Sequence, residues 1–289
     1  MTSREQWIAG ARPKTLPAAI APVIVGTAFA GYNAQLTNFL LALIVGVALQ
    51  VGVNYANDYS DGIKGTDNDR IGPMRLVGSG AASPESVKRA AYLSFSLAAV
   101  AGLILSARTN WLLILIGALA IIAAWTYTGG RKPYGYFALG EVAVFIFFGL
   151  VATIGTDYIQ VLDLNILSIF AGCMAGCFAT AVLLINNIRD IDTDKASNKK
   201  TLAARIGRKP ALVIFALLLL APFVLLTPFW LVAPATFIVN LLLIPVVIII
   251  LIATSAKTPK ELILALQLTS YTSLLFAIGF TWGLVNVTF

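Results

Sequence analysis

The sequence predicts an all-α, polytopic membrane protein. Of its 289 residues, 59% are hydrophobic and 11% are charged, whereas an average soluble domain has about 25% charged residues. The apolar residues fall in long blocks, and about 20 such residues cross a hydrocarbon core of roughly 30 Å as a helix. The blocks must be helical because lipid offers no partners to backbone N–H and C=O groups. We expect one membrane-embedded domain over residues 1–289, surrounded by membrane lipid.

The hydrophobic pattern predicts nine membrane spans. They cover approximately residues 15–31, 37–57, 86–107, 110–128, 137–156, 164–188, 209–227, 230–253 and 262–287. An odd number of spans puts the two termini on opposite sides of the membrane. The N-terminus lacks the cleavage site of a signal peptide, so the run after Lys14 is expected to be the first span.

The basic residues predict the orientation of these spans. The N-terminus and the second, fourth, sixth and eighth loops share one side, and they hold every Lys and Arg except Arg108. The positive-inside rule places that side in the cytoplasm. We therefore expect the N-terminus and the long loops 58–85 and 189–208 to be cytoplasmic and the C-terminus to be outside. The net charge of +7 is then a consequence of topology, and we expect no nucleic-acid partner.

Two further features of the composition limit the chemistry. The sequence contains no histidine, which excludes His-based acid–base catalysis and His-ligated haem or zinc. Cys173 and Cys177 share a helical turn in an apolar run, so they are expected to pack as small apolar side chains. Gly172 and Gly176 form a small-xxx-small pattern, which predicts close helix packing in this same run.

Two clusters of Asn and Asp residues lie at the ends of the second and sixth predicted spans. Ionisable groups at the edge of a membrane segment usually serve a ligand or an ion, and Asp contributes little to orientation. Residues four apart share a helix face. Asn57 with Asp61, and Asp190 with Asp194, could thus each offer oxygens to one hard cation such as Mg²⁺.

Basic residues are interleaved with both clusters. Carboxylates alone would suit a cation pathway, whereas carboxylates mixed with Lys and Arg suit a metal-bridged phosphate, which Arg can bind through two oxygens. The mixture favours a diphosphate. The candidate diphosphate-binding residues are Lys64, Arg70, Arg75, Arg189, Lys195 and Lys200. By contrast, Lys199, Arg208 and Lys209 are expected to be solvated charges that follow the topology.

A diphosphate site in front of an apolar interior most simply binds a lipid diphosphate whose tail lies among the helices. Neutralising the leaving diphosphate would allow an allylic C–O bond to ionise, and aromatic faces stabilise the resulting cation. The aromatic candidates are Trp125, Tyr127, Tyr136, Phe137, Phe145, Phe147 and Phe148. Interfacial placement and ordinary packing account for most of them.

The Asp-rich motifs also carry a family resemblance. Asn57-Asp58-x-x-Asp61 with the later Asp67, and Asp190-x-x-x-Asp194, resemble the paired motifs of the UbiA-type membrane prenyltransferase superfamily. Further matching stretches are Arg12-Pro13-Lys14-Thr15-Leu16-Pro17, Lys64-Gly65-Thr66-Asp67, Tyr127-Thr128-Gly129-Gly130 and Leu139-Gly140-Glu141. Among the branches of this superfamily, the first two of these stretches favour the one that prenylates 1,4-dihydroxy-2-naphthoate in menaquinone synthesis.

The resemblance implies nine helices around a central cavity open to the cytoplasmic face, with Mg²⁺ as cofactor. It implies transfer of a polyprenyl chain from its diphosphate to 1,4-dihydroxy-2-naphthoate, with loss of CO₂ and diphosphate. The residues it implies for Mg²⁺ and diphosphate are Asn57, Asp61, Asp190 and Asp194, assisted by Asp58 and Asp67. Gly65 stands where the superfamily has an Asp, and Tyr127-x-x-x-Arg131 replaces a Tyr-x-x-x-Lys element, which makes Arg131 a further diphosphate candidate.

Several alternatives remain open at the level of sequence. Arg12, Lys14 and Tyr127 are candidates for binding the acceptor, although Arg12 and Lys14 are equally well explained as orientation charges. The acceptor could be 4-hydroxybenzoate, or the donor phytyl diphosphate. A cation-coupled transporter should carry charges near mid-membrane, and Glu141 is the one charge expected within a span. A non-enzymatic assembly factor is a further possibility. The general base could be a carboxylate, Lys, Tyr, diphosphate oxygen or water.

Overall fold

A computed structural model describes residues 2–65 and 74–286, and within these ranges every regular element is a helix. Helices satisfy their own backbone hydrogen bonds, as a lipid environment requires. Two candidate site residues, Asp67 and Arg70, lie outside the described residues.

In residues 2–65 and 74–126 the structure has five α-helices. They are α1 (Arg4–Ala11), α2 (Pro17–Ala28), α3 (Leu36–Ile63), α4 (Pro84–Arg108) and α5 (Leu113–Thr126). Local signals begin two of them: Ser3 forms a capping box with Gln6 at α1, and the Ser83 hydroxyl accepts the Ser86 N–H at α4. The long helices α3 and α4 pack side by side.

The second half is built around one buried helix. Its helices are α6 (Gly140–Val144), α7 (Ala152–Val161), α8 (Ile166–Arg189), α9 (Ile191–Ala196), α10 (Leu202–Ile206), α11 (Arg208–Leu225), α12 (Phe229–Val232), α13 (Leu243–Ser255) and α14 (Pro259–Val285). A π-helical segment, Phe145–Val151, joins α6 to α7. Of the long helices in the described part of the chain, α8 is the most deeply buried, and it packs against α11, α14 and the π-helical segment.

Seven helices in the described ranges are long and apolar enough to cross a membrane. They are Leu36–Ile63, Pro84–Arg108, Gly140–Val161, Ile166–Arg189, Arg208–Val232, Pro234–Ser255 and Pro259–Val285. The apolar helices α2 and α5 are shorter. Each of the nine predicted spans thus has a helix at its position, and a full crossing by α2 and α5 stays a prediction.

Charged side chains enter the helices further than the sequence suggested. Helix α3 continues through the Asn and Asp cluster to Ile63, whereas the predicted span ended at residue 57. Asp58 and Asp61 are consequently helical, and their exposed fractions are 1% and 2%. Asp157 is also buried, inside the helix Gly140–Val161. The expectation that Glu141 is the one charge within a span is therefore wrong.

The connecting segments meet at two opposite ends of the bundle. At one end, the Lys64 ammonium donates to the Thr128 carbonyl over 2.8 Å. At the other end of α3, Arg108 Nε donates to Asn38 Oδ1 over 3.0 Å, and Asn38 Nδ2 donates to the Ile159 carbonyl over 2.6 Å. Arg108 thus lies at the end of α3 opposite Lys64, as the alternation of loops predicts.

Glycines allow α8 to approach its neighbour closely. A Cβ atom added to Gly149 would lie 2.4 Å from Gly176 Cα, and one added to Gly172 would lie 3.2 Å from Leu150 Cα. Small residues of this kind let helix backbones pack against each other in membranes. The close packing predicted from Gly172 and Gly176 is confirmed.

Candidate active site

The carboxyl-terminal turns of α3 supply the first polar cluster. Asn57 Oδ1 accepts a 2.6 Å hydrogen bond from the Thr128 hydroxyl, and Thr128 is fully buried. Thr128 follows α5, and its carbonyl also accepts the Lys64 ammonium. A buried amide requires such partners, because an unsatisfied polar group in the interior is unfavourable. The contacts tie the segment after α5 to the polar end of α3.

Asp58 is bound to backbone rather than to another side chain of the cluster. Its two carboxylate oxygens accept the N–H groups of Leu76 and Val77 over 2.7 and 3.0 Å. Hydrogen bonds to an ionised carboxylate are stronger than those between neutral groups. Asp58 thereby fixes the segment that includes Arg75, the residue directly before this pair of amides.

Asp61 is the meeting point of three other segments. Its Oδ1 accepts a 2.9 Å hydrogen bond from the Tyr136 hydroxyl. Its Oδ2 lies 3.4 Å from Lys199 Nζ and 3.8 Å from Arg75 Nη2. A buried carboxylate needs such compensation, because moving a charge out of water is unfavourable. Among the described residues, one hydroxyl and two cations from distant parts of the sequence therefore lie beside Asp61.

The second cluster begins where α8 ends. Arg189 donates from Nε and Nη2 to the two oxygens of Asp190, both over 2.7 Å, and Nη2 also donates to Asn186 Oδ1 over 2.8 Å. Such a bidentate pair has a defined geometry as well as charge attraction. The Arg189 side chain is almost completely buried. Arg189 therefore binds the Asp190 carboxylate, whereas the sequence predicted that Arg189 would bind the diphosphate.

Asp194 lies on the short helix α9 and is held by the loop that follows. The Thr201 hydroxyl donates to Asp194 Oδ2 over 3.0 Å, and the Lys199 backbone N–H donates to the Asp194 carbonyl over 2.7 Å. Asn198 has a left-handed φ of 56°, which allows the tight return of the chain. This return brings the Lys199 side chain back towards Asp194.

Lys199 connects the two clusters. Its Nζ atom lies 3.4 Å from Asp61 Oδ2 and 3.9 Å from Asp194 Oδ1, and it lies 5.3 Å from the centre of the Tyr136 ring. The side chain is 13% exposed. The expectation that Lys199 is a solvated topological charge is therefore wrong, because the loop after α9 folds over the end of α3.

The other candidate cations and the acceptor candidates are more dispersed. The residues with exposed side chains are Lys14, Arg131, Lys195 and Lys200. Lys200 contributes its backbone N–H, which donates to the Tyr136 carbonyl over 3.2 Å. Arg12 is half-buried and ends α1 with a left-handed φ of 55°. Of all these side chains, the structure brings none into the ion-pair group formed by Asp61, Asp194 and Lys199 within the described residues.

Tyr127 occupies a tight place beside this group. A Cβ atom at Gly135 or Gly140 would lie 2.7 or 2.9 Å from Tyr127 Cε2, so both glycines make room for the ring. In the loop that follows, burial raises the pKa of Tyr134 to about 12.

Three residues of the site were not singled out for their contacts from sequence. Thr128 lies in a stretch that matches the superfamily, but its pairing with Asn57 joins positions 71 residues apart. Tyr136 was a candidate for an aromatic face, whereas its hydroxyl is the group that meets Asp61. Thr201 is the N-cap of α10, and its hydroxyl also donates a hydrogen bond to Asp194 Oδ2. A Thr directly before a helix is a capping signal, but the Asp194 contact has no local signature.

The donor set fits a hard divalent cation. Asp61 and Asp194 already share one positive group, the Lys199 ammonium, so their oxygens are directed towards a common region. Within the described ranges, no three acidic, His or Cys side chains converge as a closed metal site. Mg²⁺ is usually bound by one or two carboxylates together with substrate phosphates and water. Two carboxylates with the cations of Arg75 and Lys199 beside them could bind a metal ion and a phosphate in that mode.

Comparison with known proteins identifies the family. The model of the UbiA prenyltransferase family matches residues 19–268, a range that includes both Asp clusters. The chain belongs to the UbiA prenyltransferase family. The resemblance seen in the two motifs is thus confirmed.

Curated relatives place this UbiA-family chain more narrowly. It is 52% identical over 223 residues to 1,4-dihydroxy-2-naphthoate octaprenyltransferase of Mycobacterium leprae, covering 76% of each chain. It is 54% identical over 209 residues to the protein of that name from Mycobacterium tuberculosis, covering 72% of each. The Escherichia coli protein of the same name is 42% identical over 232 residues, covering 77% of this chain and 75% of the relative.

Solved structures share the UbiA fold with this chain. A UbiA homolog from Archaeoglobus fulgidus bound to DMAPP and Mg²⁺ superposes with a TM-score of 0.70 at 17% identity, covering 98% of this chain and 99% of the homolog. The apo UbiA homolog from Aeropyrum pernix K1 has a TM-score of 0.71 at 17% identity, covering 93% and 97%. At this identity the likeness concerns the fold alone.

Proposed function

We propose that this chain transfers a polyprenyl group from an allylic polyprenyl diphosphate to 1,4-dihydroxy-2-naphthoate, giving demethylmenaquinol, CO₂ and diphosphate. The observation that carries the proposal is the shared ion-pair group, in which Asp61 of α3 and Asp194 of α9 both lie within 4 Å of the Lys199 ammonium. The relatives named as 1,4-dihydroxy-2-naphthoate octaprenyltransferases support the acceptor and the chemistry.

The polar end of the bundle is the proposed diphosphate site. Asn57, Asp61, Asp190 and Asp194 would hold Mg²⁺, which neutralises charge on a leaving diphosphate when it is bound. Arg75 and Lys199, which both lie beside Asp61, would contact phosphate oxygens directly. Arg189 would keep the Asp190 carboxylate in a fixed orientation. The solved homolog with the same fold is bound to DMAPP and Mg²⁺, which supports a prenyl diphosphate and a divalent metal as the ligands.

The reaction then follows from charge placement. The allylic C–O bond breaks with its electron pair going to the diphosphate, whose negative charge Arg75 and Lys199 offset. The electron-rich naphthoate ring forms a C–C bond at the carbon that bears its carboxylate. Loss of CO₂ returns an electron pair to the ring and restores aromaticity. Burial raises the pKa of Tyr134 to about 12, so its phenol supplies no phenolate base at neutral pH.

The proposal extends to the arrangement in the membrane. The prenyl tail would lie in a central cavity among nine helices, with α2 and α5 completing the crossings of the seven longer ones. The cavity, the N-terminus and the basic loops would face the cytoplasm, following the positive-inside rule. Arg12 and Lys14 precede α2 at the same end of the bundle and would bind the acceptor carboxylate. Residues 1–289 would form this single domain.

Reconstitution tests the reaction. Purified protein in detergent would be given a polyprenyl diphosphate and Mg²⁺ with either 1,4-dihydroxy-2-naphthoate or 4-hydroxybenzoate, and phytyl diphosphate would serve as the alternative donor. We expect prenylated product and equimolar CO₂ with the naphthoate, and loss of both on chelation of the metal. Product with 4-hydroxybenzoate alone would overturn the acceptor assignment. No product with either acceptor would overturn the enzymatic proposal.

A further inference from the structure

Lys199 places a positive charge between two of the carboxylates proposed to hold the metal. Its ammonium lies 3.4 Å from Asp61 and 3.9 Å from Asp194, and the two carboxylates belong to separate helices. Asp61 and Asp194 are 2% and 6% exposed. Two buried carboxylates that face one region repel each other unless a cation lies between them. The chain itself provides that cation.

The surroundings of Lys199 fix its backbone and place its ammonium between the two carboxylates. The backbone is fixed by the Lys199 N–H to the Asp194 carbonyl and by Thr201 on Asp194 Oδ2. Lysine carries a compact charge on a flexible stem, unlike the rigid fork with which Arg189 holds Asp190. The Tyr136 ring, 5.3 Å from Nζ, gives the ammonium a neighbouring aromatic face.

We propose that Lys199 is an internal placeholder cation that makes metal binding depend on the diphosphate. The inference rests on the proposed function, because it concerns the same site. A metal ion that binds without diphosphate must displace the Lys199 ammonium from Asp61 and Asp194. The displaced ammonium then lies close to the positive charge of the metal. A bound diphosphate supplies new anionic oxygens for the ammonium, so the carboxylates become available to the metal. Metal and diphosphate therefore bind cooperatively, each raising the affinity for the other by the same factor.

Metal binding without substrate tests this directly. Mn²⁺ would be titrated into the purified full-length chain in detergent, with free Mn²⁺ followed by electron paramagnetic resonance, for wild type, Lys199→Met and Lys199→Arg. We expect Lys199→Met to bind Mn²⁺ about tenfold more tightly than wild type, which corresponds to about 1.4 kcal/mol. Lys199→Arg keeps the charge but replaces the flexible ammonium with a rigid fork, so its Mn²⁺ affinity without diphosphate should not exceed that of wild type. Lys209→Met removes an exposed lysine and is the matched control for charge.

A second measurement uses inorganic diphosphate. In wild type it should strengthen Mn²⁺ binding, and in Lys199→Met the enhancement should be smaller. Thermal unfolding gives an independent readout, because Mn²⁺ should raise the Tm of Lys199→Met more than that of wild type. If Lys199→Met does not fold in detergent, Lys199→Gln removes the same charge and carries the same titration.

Two outcomes would overturn the placeholder role. One is that wild type and Lys199→Met bind Mn²⁺ with equal affinity in the absence of diphosphate. The other is that Lys209→Met gains as much Mn²⁺ affinity over wild type as Lys199→Met does. If either result is found and the wild-type protein still prenylates the naphthoate, the placeholder role is rejected and the proposed function stands. A wild-type protein that prenylates no acceptor, but whose Mn²⁺ affinity rises on loss of Lys199, would reject the proposed reaction and keep the placeholder.

Discussion

Three aspartates on the stretch from residue 190 to 194 differ sharply in their surroundings. Asp190 and Asp194 are buried, and they accept hydrogen bonds from Arg189 and Thr201 respectively. Asp192 lies between them in the sequence and is exposed. On α9, Asp194 therefore faces the candidate site, whereas Asp192 faces solvent.

This difference allows a matched test of the site. We expect Asp194→Asn to lower kcat by about 100-fold or more, because electrostatic contacts to a reacting centre contribute on that scale. Asp192→Asn makes the same chemical change on the exposed face and should leave kcat unchanged. Steady-state prenylation rates of purified variants check the pair. Equal losses in both variants, or in neither, would contradict the assignment of Asp194.

We expect Asp58 to hold the segment that carries Arg75 in place, without contacting the substrate itself. Asp58→Asn removes the charge that the Leu76 and Val77 amides bind, and a hydrogen bond to a charged group contributes about 1.5–3 kcal/mol. The segment with Arg75 should loosen, so the KM for the prenyl diphosphate should rise more than kcat falls. Kinetics and thermal unfolding measure both effects. A loss confined to kcat, with unchanged Tm, would instead indicate a direct catalytic role.

At the scale of elements, the packing of α8 explains how the second cluster reaches the first. The π-helical segment Phe145–Val151 lies against α8, with Gly149 over Gly176. Helix backbones approach this closely only where no Cβ intervenes. The distance between these helices also determines where Asn187 lies, since its amide donates to Glu141 Oε1 of α6 over 2.9 Å.

Gly149→Ala should therefore destabilise the protein. Its Cβ would lie 2.4 Å from the Gly176 backbone, and overpacking a tight interior typically costs about 1–3 kcal/mol. We expect a lower Tm in detergent and reduced activity. Gly117→Ala is the control, because no atom lies within 4 Å of its added Cβ and alanine favours helix. A Gly149→Ala variant as stable as Gly117→Ala would show that the helices can separate freely.

At the scale of the whole molecule, the chain has a polar, basic end and a nearly uncharged one. The basic end holds the ion-pair group of Asp61, Asp194 and Lys199. Arg108 lies at the opposite end, where it donates to Asn38 of α3. A charge asymmetry of this kind orients membrane proteins with the basic end in the cytoplasm.

Cysteine labelling tests the orientation. In a background without Cys173 and Cys177, single cysteines would replace the exposed residues Asp163, at the far end, and Lys257, at the site end. We expect a membrane-impermeant maleimide to label Asp163→Cys in intact cells and Lys257→Cys only after lysis. The reverse pattern would place the site on the outer side.

The sequence by itself determined the helical class, the positions of the helices, the two Asp pairs and the separation of Arg108 from the other basic residues. These properties depend on local composition and spacing, which a chain in lipid must follow. The sequence-based prediction ended α3 at residue 57, because Asn and Asp residues lower the hydropathy of the segment. The helix continues to Ile63, since these polar side chains find hydrogen-bond partners there. Only the tertiary structure decided the roles of Lys199, Asp58 and Tyr136. Lys199 and Asp61 are 138 residues apart, and a contact over that separation is created by helix packing and the fold of the loop after α9, which no local pattern encodes.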